Sequence, residues 1–270
     1  MRAMVMTPFA PGWVAFLLLM TAVGVVAHLL LRRRPRPVQR RALLALALLA
    51  WACSTWFTFD RAANPANHFP ITQNLPFHFC TLVTFLLIPA VWLRKGRLLG
   101  PVRALLFYPG AAAGFLALCS PAVEYTGRPY WSMNTLFYVV HALNVVVPVL
   151  MASLRLYRPT VRDAFLSLVW FFALAMAVLP LTLALRAWVD AGSNYFYFFD
   201  PEGAGILVVL WNLIHVPVAY EAPLLVIIAP VLLAQYGIYR AVSALARRVS
   251  GPTAGDGGQV PQNAPELAAA

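Results

Sequence analysis

An imidazole and a thiol stand two residues apart in the run Asn74-Leu75-Pro76-Phe77-His78-Phe79-Cys80, at the mouth of a long apolar segment. Ionisable side chains are costly inside a bilayer, roughly 2.5–3.5 kcal/mol at a helix centre on insertion scales, so such groups are functional candidates by default. A thiolate is a good acyl-accepting nucleophile, and an imidazole within reach can take its proton and return it to a leaving group. Cys80 paired with His141 could therefore run acyl transfer through a thioester, with His78 as a second imidazole nearby. Other readings of the same residues stay open. A free Cys is often a buried small hydrophobe, and an intramembrane His also serves as a hydrogen-bond partner for a neighbouring helix. Three Cys, at 53, 80 and 119, leave a Cys80–Cys119 disulfide as an alternative. A metal held by His78, Cys80, Cys119 and His141 lacks any CxxC, HxxxH or HExxH spacing, so neither metal nor cofactor is expected.

The elements that must position these groups follow from composition. With 61% hydrophobic and 11% charged residues and a mean hydropathy of +0.75, the chain has more apolar surface than one soluble core of 270 residues could hide. An all-α, multi-pass membrane protein of the cell membrane is expected, with membrane lipids as its partners. Apolar runs near the 20 residues needed to cross the hydrocarbon fall at 12–31, 42–59, 75–93, 101–120, 131–152, 164–188 and 222–240. That makes a bundle of seven spans. The stretch 204–220, which carries Asn212, His215 and Pro217, reads as an interfacial or re-entrant helix before the last span.

Charge sets the orientation. Most of the 20 Lys and Arg fall in 32–41, 94–103, 155–162 and 240–248, whereas Asp60, Glu124, Asp190, Asp200 and Glu202 lie on the opposite side. The positive-inside rule then puts the N-terminus outside and the C-terminus in the cytoplasm. An eight-span count would export the last Arg cluster. The net charge of +11 is accounted for by these short loops, and no basic stripe interleaved with aromatics points to nucleic acid. Six Arg follow the first apolar run where a signal-peptide cleavage site would stand, so that run should remain as an anchor. Residues 1–249 read as one polytopic domain, and 250–270 as a disordered cytoplasmic tail.

Depth and helical phase converge on the outer half. Cys80 lies roughly 8 Å inside the third span and His141 roughly 15 Å inside the fifth, at about 1.5 Å per residue. Asn134, His141 and Asn144 stand at i, i+7 and i+10, one polar stripe that should face the bundle interior and line a cavity. Cys80 shares a face with Thr84, but His78 lies about 200° from Cys80 on a regular helix and needs another partner. Gly110 and Gly114 form a GxxxG pattern for close helix approach. Trp51, Trp56, Trp131, Trp188, Tyr125 and Tyr130 mark span ends. In 190–203, Gly192-Ser193-Asn194 reads as a turn, followed by an aromatic run at the headgroup level. Asn194 and Tyr195 there, with Asn134, Asn144 and His215, are the candidate substrate contacts.

Several motifs occur in one order: Leu-Pro-Phe-His-Phe-Cys at 75–80, Tyr108-Pro109-Gly110 leading to Cys119-Ser120-Pro121, Phe137 with His141, Arg158-Pro159-Thr160, and Gly192-Ser193-Asn194-Tyr195 ending at Asp200-Pro201. Together they resemble the bacterial YwaF-like integral membrane family, which looks related to the eukaryotic transmembrane protein 164 group of ether-phospholipid acyltransferases. The resemblance covers roughly residues 20–240. It implies a seven-helix membrane fold with Cys80 as acyl carrier and His141 as its partner. The chain departs from the pattern before the last span, where it has His215-Val216-Pro217-Val218-Ala219-Tyr220.

Overall fold

The computed structural model describes residues 5–63, 72, 75–121, 128–129 and 134–249, without the side chains of 5–6, 61–62, 128–129, 134 and 246–249. The expected tail at 250–270, and Asn74, Tyr125, Tyr130 and Trp131, lie outside the described residues. The chain divides into two compact units, 1–236 and 237–270. Nine α-helices are described: α1 (Pro11–Leu31), α2 (Arg36–Ala63), α3 (Phe79–Trp92), α4 (Leu99–Leu105), α5 (Ala111–Cys119), α6 (Asn134–Ser153), α7 (Val161–Trp188), α8 (Gly205–Leu213) and α9 (Ala222–Val249). The described strands are one antiparallel pair, β1 (Val5–Met6) with β2 (Arg128–Pro129).

Six helical segments are long and apolar enough to cross a membrane, at Pro11–Leu31, Arg36–Asp60, Leu99–Cys119, Thr135–Ser153, Val161–Trp188 and Ala219–Leu245, and α3 is a shorter apolar helix. Their outward faces are apolar too. Leu18, Leu30, Val169, Phe172, Val226 and Ile238 are exposed, which water would penalise and hydrocarbon would not. The chain is a multi-pass membrane protein.

Four boundaries differ from the sequence reading for identifiable reasons. The third apolar run begins as helix only at Phe79, because Leu75–His78 form a turn closed by the Phe77 N–H on the Leu75 carbonyl (2.8 Å), and His78 is extended (φ −66°, ψ 143°). The sixth starts three residues earlier than 164: the Thr160 hydroxyl accepts from Asp163 N–H and the Asp163 carboxylate accepts from Thr160 N–H, both at 3.1 Å, a capping box that fixes the start of α7. The fourth is joined through a π-helical turn, Leu106–Gly110, between α4 and α5. Pro109 lacks an N–H, and Ala111 N–H reaches the Leu106 carbonyl five residues back, so the Phe107 carbonyl is freed and takes a bond from the Gln235 side chain. In the stretch 204–220, α8 is followed by a 3-10 turn that begins at Ala219, and the nine residues of α8 rise about 13 Å and cannot cross about 30 Å of hydrocarbon.

The core sits where α2, α3 and α6 meet, on Leu43, Ala47, Val83, Leu87, Val147 and Leu150. The basic loops gather at one end of it. Arg36 donates to the Leu154 carbonyl, Arg40 to those of Val91 and Leu93, and Arg103 to those of Ala90 and Leu156. The Ala90 and Val91 carbonyls belong to the last turn of α3 and lack intrahelical donors, Leu93, Leu154 and Leu156 lie just past helix ends, and the guanidinium groups satisfy all five. At the other end Trp13 Nε1 donates to the Leu118 carbonyl (2.7 Å) and the Thr72 hydroxyl to Asp190 (2.7 Å).

Gly114 sets how closely α5 approaches α6. A Cβ there would meet the His141 carbonyl at 3.0 Å, Val145 Cγ2 at 3.2 Å and Asn144 Cβ at 3.4 Å. Gly114→Leu should push α6 away and cost about 1–3 kcal/mol, read as a lower thermal midpoint in detergent. Gly100→Ala, which meets nothing within 4 Å, should leave the midpoint unchanged. Equal midpoints for wild type and Gly114→Leu would sink this packing account.

Candidate active site

Because α3 starts at Phe79, Cys80 is its second residue and lies in the first turn. The first four N–H groups of a helix have no intrahelical acceptor, and the helix dipole favours negative charge there. His78 is the N-cap residue, yet its side chain makes no capping bond; the first helical bond runs from Leu82 N–H to the His78 carbonyl (3.0 Å). Cys53, Cys80 and Cys119 are all free thiols.

The Cys80 main chain is fastened directly to α6. The Asn144 amide donates to the Cys80 carbonyl (3.0 Å), and the Thr84 hydroxyl lies 2.9 Å from that carbonyl and 3.0 Å from Asn144 Oδ1. Asn144 and Thr84 are fully buried. Of the expected polar stripe on α6, His141 and Asn144 are buried, and Asn144 engages both ends of its amide within the protein and holds α3 against α6.

His141 lies one helical turn before Asn144 and is buried. Its Nδ1 is 2.7 Å from the Phe137 carbonyl, and its ring lies against that of Phe137 with centroids 4.1 Å apart. A carbonyl can only accept, so Nδ1 carries the proton of the neutral ring and Nε2 keeps a lone pair. That is the tautomer a general base requires.

His78, extended at the N-cap and so outside the helical phase of Cys80, lies against a different set of partners. Its ring centroid is 5.1 Å from that of Tyr195 and 5.7 Å from that of Tyr197. The aromatic run was expected at the headgroup level, but Tyr195, Phe196 and Phe198 are buried against Phe77, Phe79 and Phe171. Left-handed backbone at Phe196 (φ 58°) and Tyr197 (φ 63°) turns the run back onto the helices. Asn194 ties that turn together: its amide donates to the Asp200 carbonyl (2.7 Å) and the Glu202 carboxylate (2.8 Å) and accepts from Phe199 N–H (2.9 Å). The Tyr195 hydroxyl donates to the Thr72 carbonyl, and burial pushes its pKa up to about 12, so it stays a neutral donor at physiological pH.

Two candidates lie elsewhere. His215 is exposed in the loop after α8, against the Trp211 ring (centroids 4.4 Å). Asn134 opens α6, and its side chain is outside the described residues. Among the described residues no three His, Cys, Asp or Glu side chains converge to hold a metal ion.

The sequence model of the TMEM164 family matches residues 6–239, spanning every helix from α1 into α9. The chain belongs to the TMEM164 family. No curated protein and no solved structure matches it. The match includes the α3 start and the His141 face of α6, so the TMEM164 family assignment and the Cys80–Asn144 junction concern the same part of the chain.

Asn144→Leu tests that junction in this TMEM164 family member. It keeps the branching and heavy-atom count of the side chain but strips the Cys80 carbonyl and the Thr84 hydroxyl of a buried partner, which should cost about 1–2 kcal/mol. Unfolding in mixed micelles should show a lower midpoint. An unchanged midpoint would mean that the two helices are held by apolar packing alone.

Proposed function

We propose that this protein is a phospholipid acyltransferase that carries the acyl group as a thioester on Cys80. The observation that carries the reading is the Asn144 bond to the Cys80 carbonyl, which ties the thiol-bearing turn to α6 at a residue one helical turn from His141, an imidazole with an unprotonated Nε2. His141 Nε2 takes the Sγ proton, and the thiolate attacks the ester carbonyl of a donor phospholipid. Collapse of the tetrahedral species breaks the ester C–O bond. The leaving glycerol oxygen takes the proton from His141 and departs as a lysophospholipid. The acceptor hydroxyl then gives its proton to His141 and attacks the thioester, and the expelled thiolate recovers that proton. The N–H groups of the first turn of α3 offer donors for the oxyanion in both halves.

The topology that goes with this reading has seven crossings, N-terminus outside and C-terminus cytoplasmic, with α3 as the short third crossing and α8 at the interface. The gathering of the Arg-rich loops at the end opposite the start of α3 supports it. Cys80 and His141 would then work in the outer half of the cell membrane, with donor lipid entering sideways. In this account Asn144 positions Cys80, and Asn194 and Tyr195 position His78, while Asn134 and His215 meet the lipid headgroup.

Incubating the purified protein in nanodiscs with an alkyne-tagged acyl phospholipid is the direct test. Protein-bound label released by neutral hydroxylamine is the expected result. A protein that stays unlabelled while Cys80 reacts freely with a thiol reagent would overturn the acyltransferase reading and favour a lipid-binding or transport role.

A further inference from the structure

At the basic end of the bundle, away from Cys80, the first turns of α2 and the last turn of α3 enclose a cleft of about 430 Å³, lined by Arg40, Arg41, Arg94, Leu44, Trp92 and Leu93 among others. That volume lies in the range of small-molecule and headgroup sites. Its charge is uncompensated. The ionised neighbours whose fields reach Arg40 are Arg94 and Arg36, both positive. Arg41 and Arg94 make no hydrogen bond or ion pair with any described residue. Asp163, which directly follows the basic loop 155–162, is engaged by the Tyr157 hydroxyl (3.0 Å) and by its capping box.

The cleft is also held in shape. One nitrogen of Arg40, Nη1, donates to the carbonyls of Val91 (2.9 Å) and Leu93 (3.2 Å), the acceptors left over at the end of α3. This fixes one guanidinium in the wall that Arg41 and Arg94 also line, and Arg is suited to bidentate contact with phosphate oxygens. Beside the charges lies apolar surface with nothing covering it: Trp92 is 66% and Leu93 46% exposed. A Trp at a helix end prefers the membrane interface. The combination of guanidinium groups and an apolar, interface-level wall suits a ligand with a phosphate at one end and acyl chains at the other.

We propose that this cleft binds the headgroup of an anionic phospholipid from the leaflet at the basic end, independently of the chemistry at Cys80. Phosphate would sit among Arg40, Arg41 and Arg94, with an acyl chain leaving along Trp92 and Leu93. A free phosphate ion would use the same guanidinium groups but not the apolar wall.

The test is native mass spectrometry of the full chain released from mixed micelles of phosphatidylglycerol and phosphatidylcholine. Wild type should retain phosphatidylglycerol in preference, and the double variant Arg41→Gln/Arg94→Gln should retain about thirtyfold less, at about 1 kcal/mol per basic residue near a membrane surface. Arg33→Gln/Arg34→Gln removes the same charge from exposed positions outside the cleft lining and should leave retention unchanged. Equal losses in the two double variants would reduce the effect to general electrostatics and overturn the site. Displacement of the lipid by millimolar inorganic phosphate in the wild type would overturn the lipid assignment in favour of a free-phosphate site. Arg40 is left intact because its carbonyl bonds join α2 to α3, so a folding defect cannot imitate the expected loss.

Discussion

Cys80→Ala should abolish hydroxylamine-labile acylation and lower turnover by about 10³-fold or more, as removal of a covalent nucleophile does, while the protein stays folded. Both halves of that expectation come from the same geometry. What Cys80 contributes to the fold is its main-chain carbonyl, which accepts from Asn144 and faces the Thr84 hydroxyl; alanine keeps that carbonyl. The thiol is the part that alanine removes. The contrast with Asn144→Leu is therefore diagnostic, because that variant retains the nucleophile and loosens the helix junction. Activity and unfolding midpoint should separate in Cys80→Ala and fall together in Asn144→Leu. Wild-type turnover in Cys80→Ala would end the covalent mechanism.

Replacing the imidazole gives the second large effect. His141→Gln should slow acylation of Cys80 by about 10²–10⁴-fold, the range for loss of a positioned general base. Its signature is the pH profile. Without a base the thiol must ionise unaided, so the residual rate should climb about tenfold per pH unit on the alkaline side, whereas the wild type should level off once Nε2 is unprotonated. Stopped labelling assays across pH, with added imidazole as a rescue, give the measurement. A variant that labels at the wild-type rate at neutral pH would leave His141 with only its bond to Phe137 and no part in proton transfer.

Much of the scaffold was legible because hydrophobic length is a local property. Apolar runs and Arg-rich loops are read residue by residue, and six of the expected spans correspond to helices of crossing length. Helix ends were less legible. The start of α7 was written in Thr160 and Asp163, three residues apart, and could have been found as a capping box. The late start of α3 depended on a turn at Leu75–His78 that the hydropathy of the run concealed. Pro109 stood in the Tyr108-Pro109-Gly110 motif, but the π turn there, whose freed Phe107 carbonyl meets Gln235, depends on a helix more than a hundred residues away.

For the site, residue types and phase pointed to His141 and Asn144 as inward-facing groups, since lipid tolerates neither well on its own side, and put Cys80 and Thr84 on one face. Sequence could not tell an amide lining a cavity from one clasping a neighbouring helix. The aromatic run at 195–198 shows the same limit: an interfacial strip and a buried plug have the same composition, and the positive φ at Phe196 and Tyr197 decides between them. The sequence by itself determined that this is a multi-pass, all-helical membrane protein with reactive groups in apolar surroundings, because transfer of side chains into hydrocarbon is nearly additive along the chain. Only the tertiary structure decided that Asn144 holds Cys80, that His78 belongs with Tyr195 and Tyr197, and that Arg40, Arg41 and Arg94 share one cleft. Those pairings depend on which orphaned donor meets which orphaned acceptor when helices pack, and that is a property of the whole bundle.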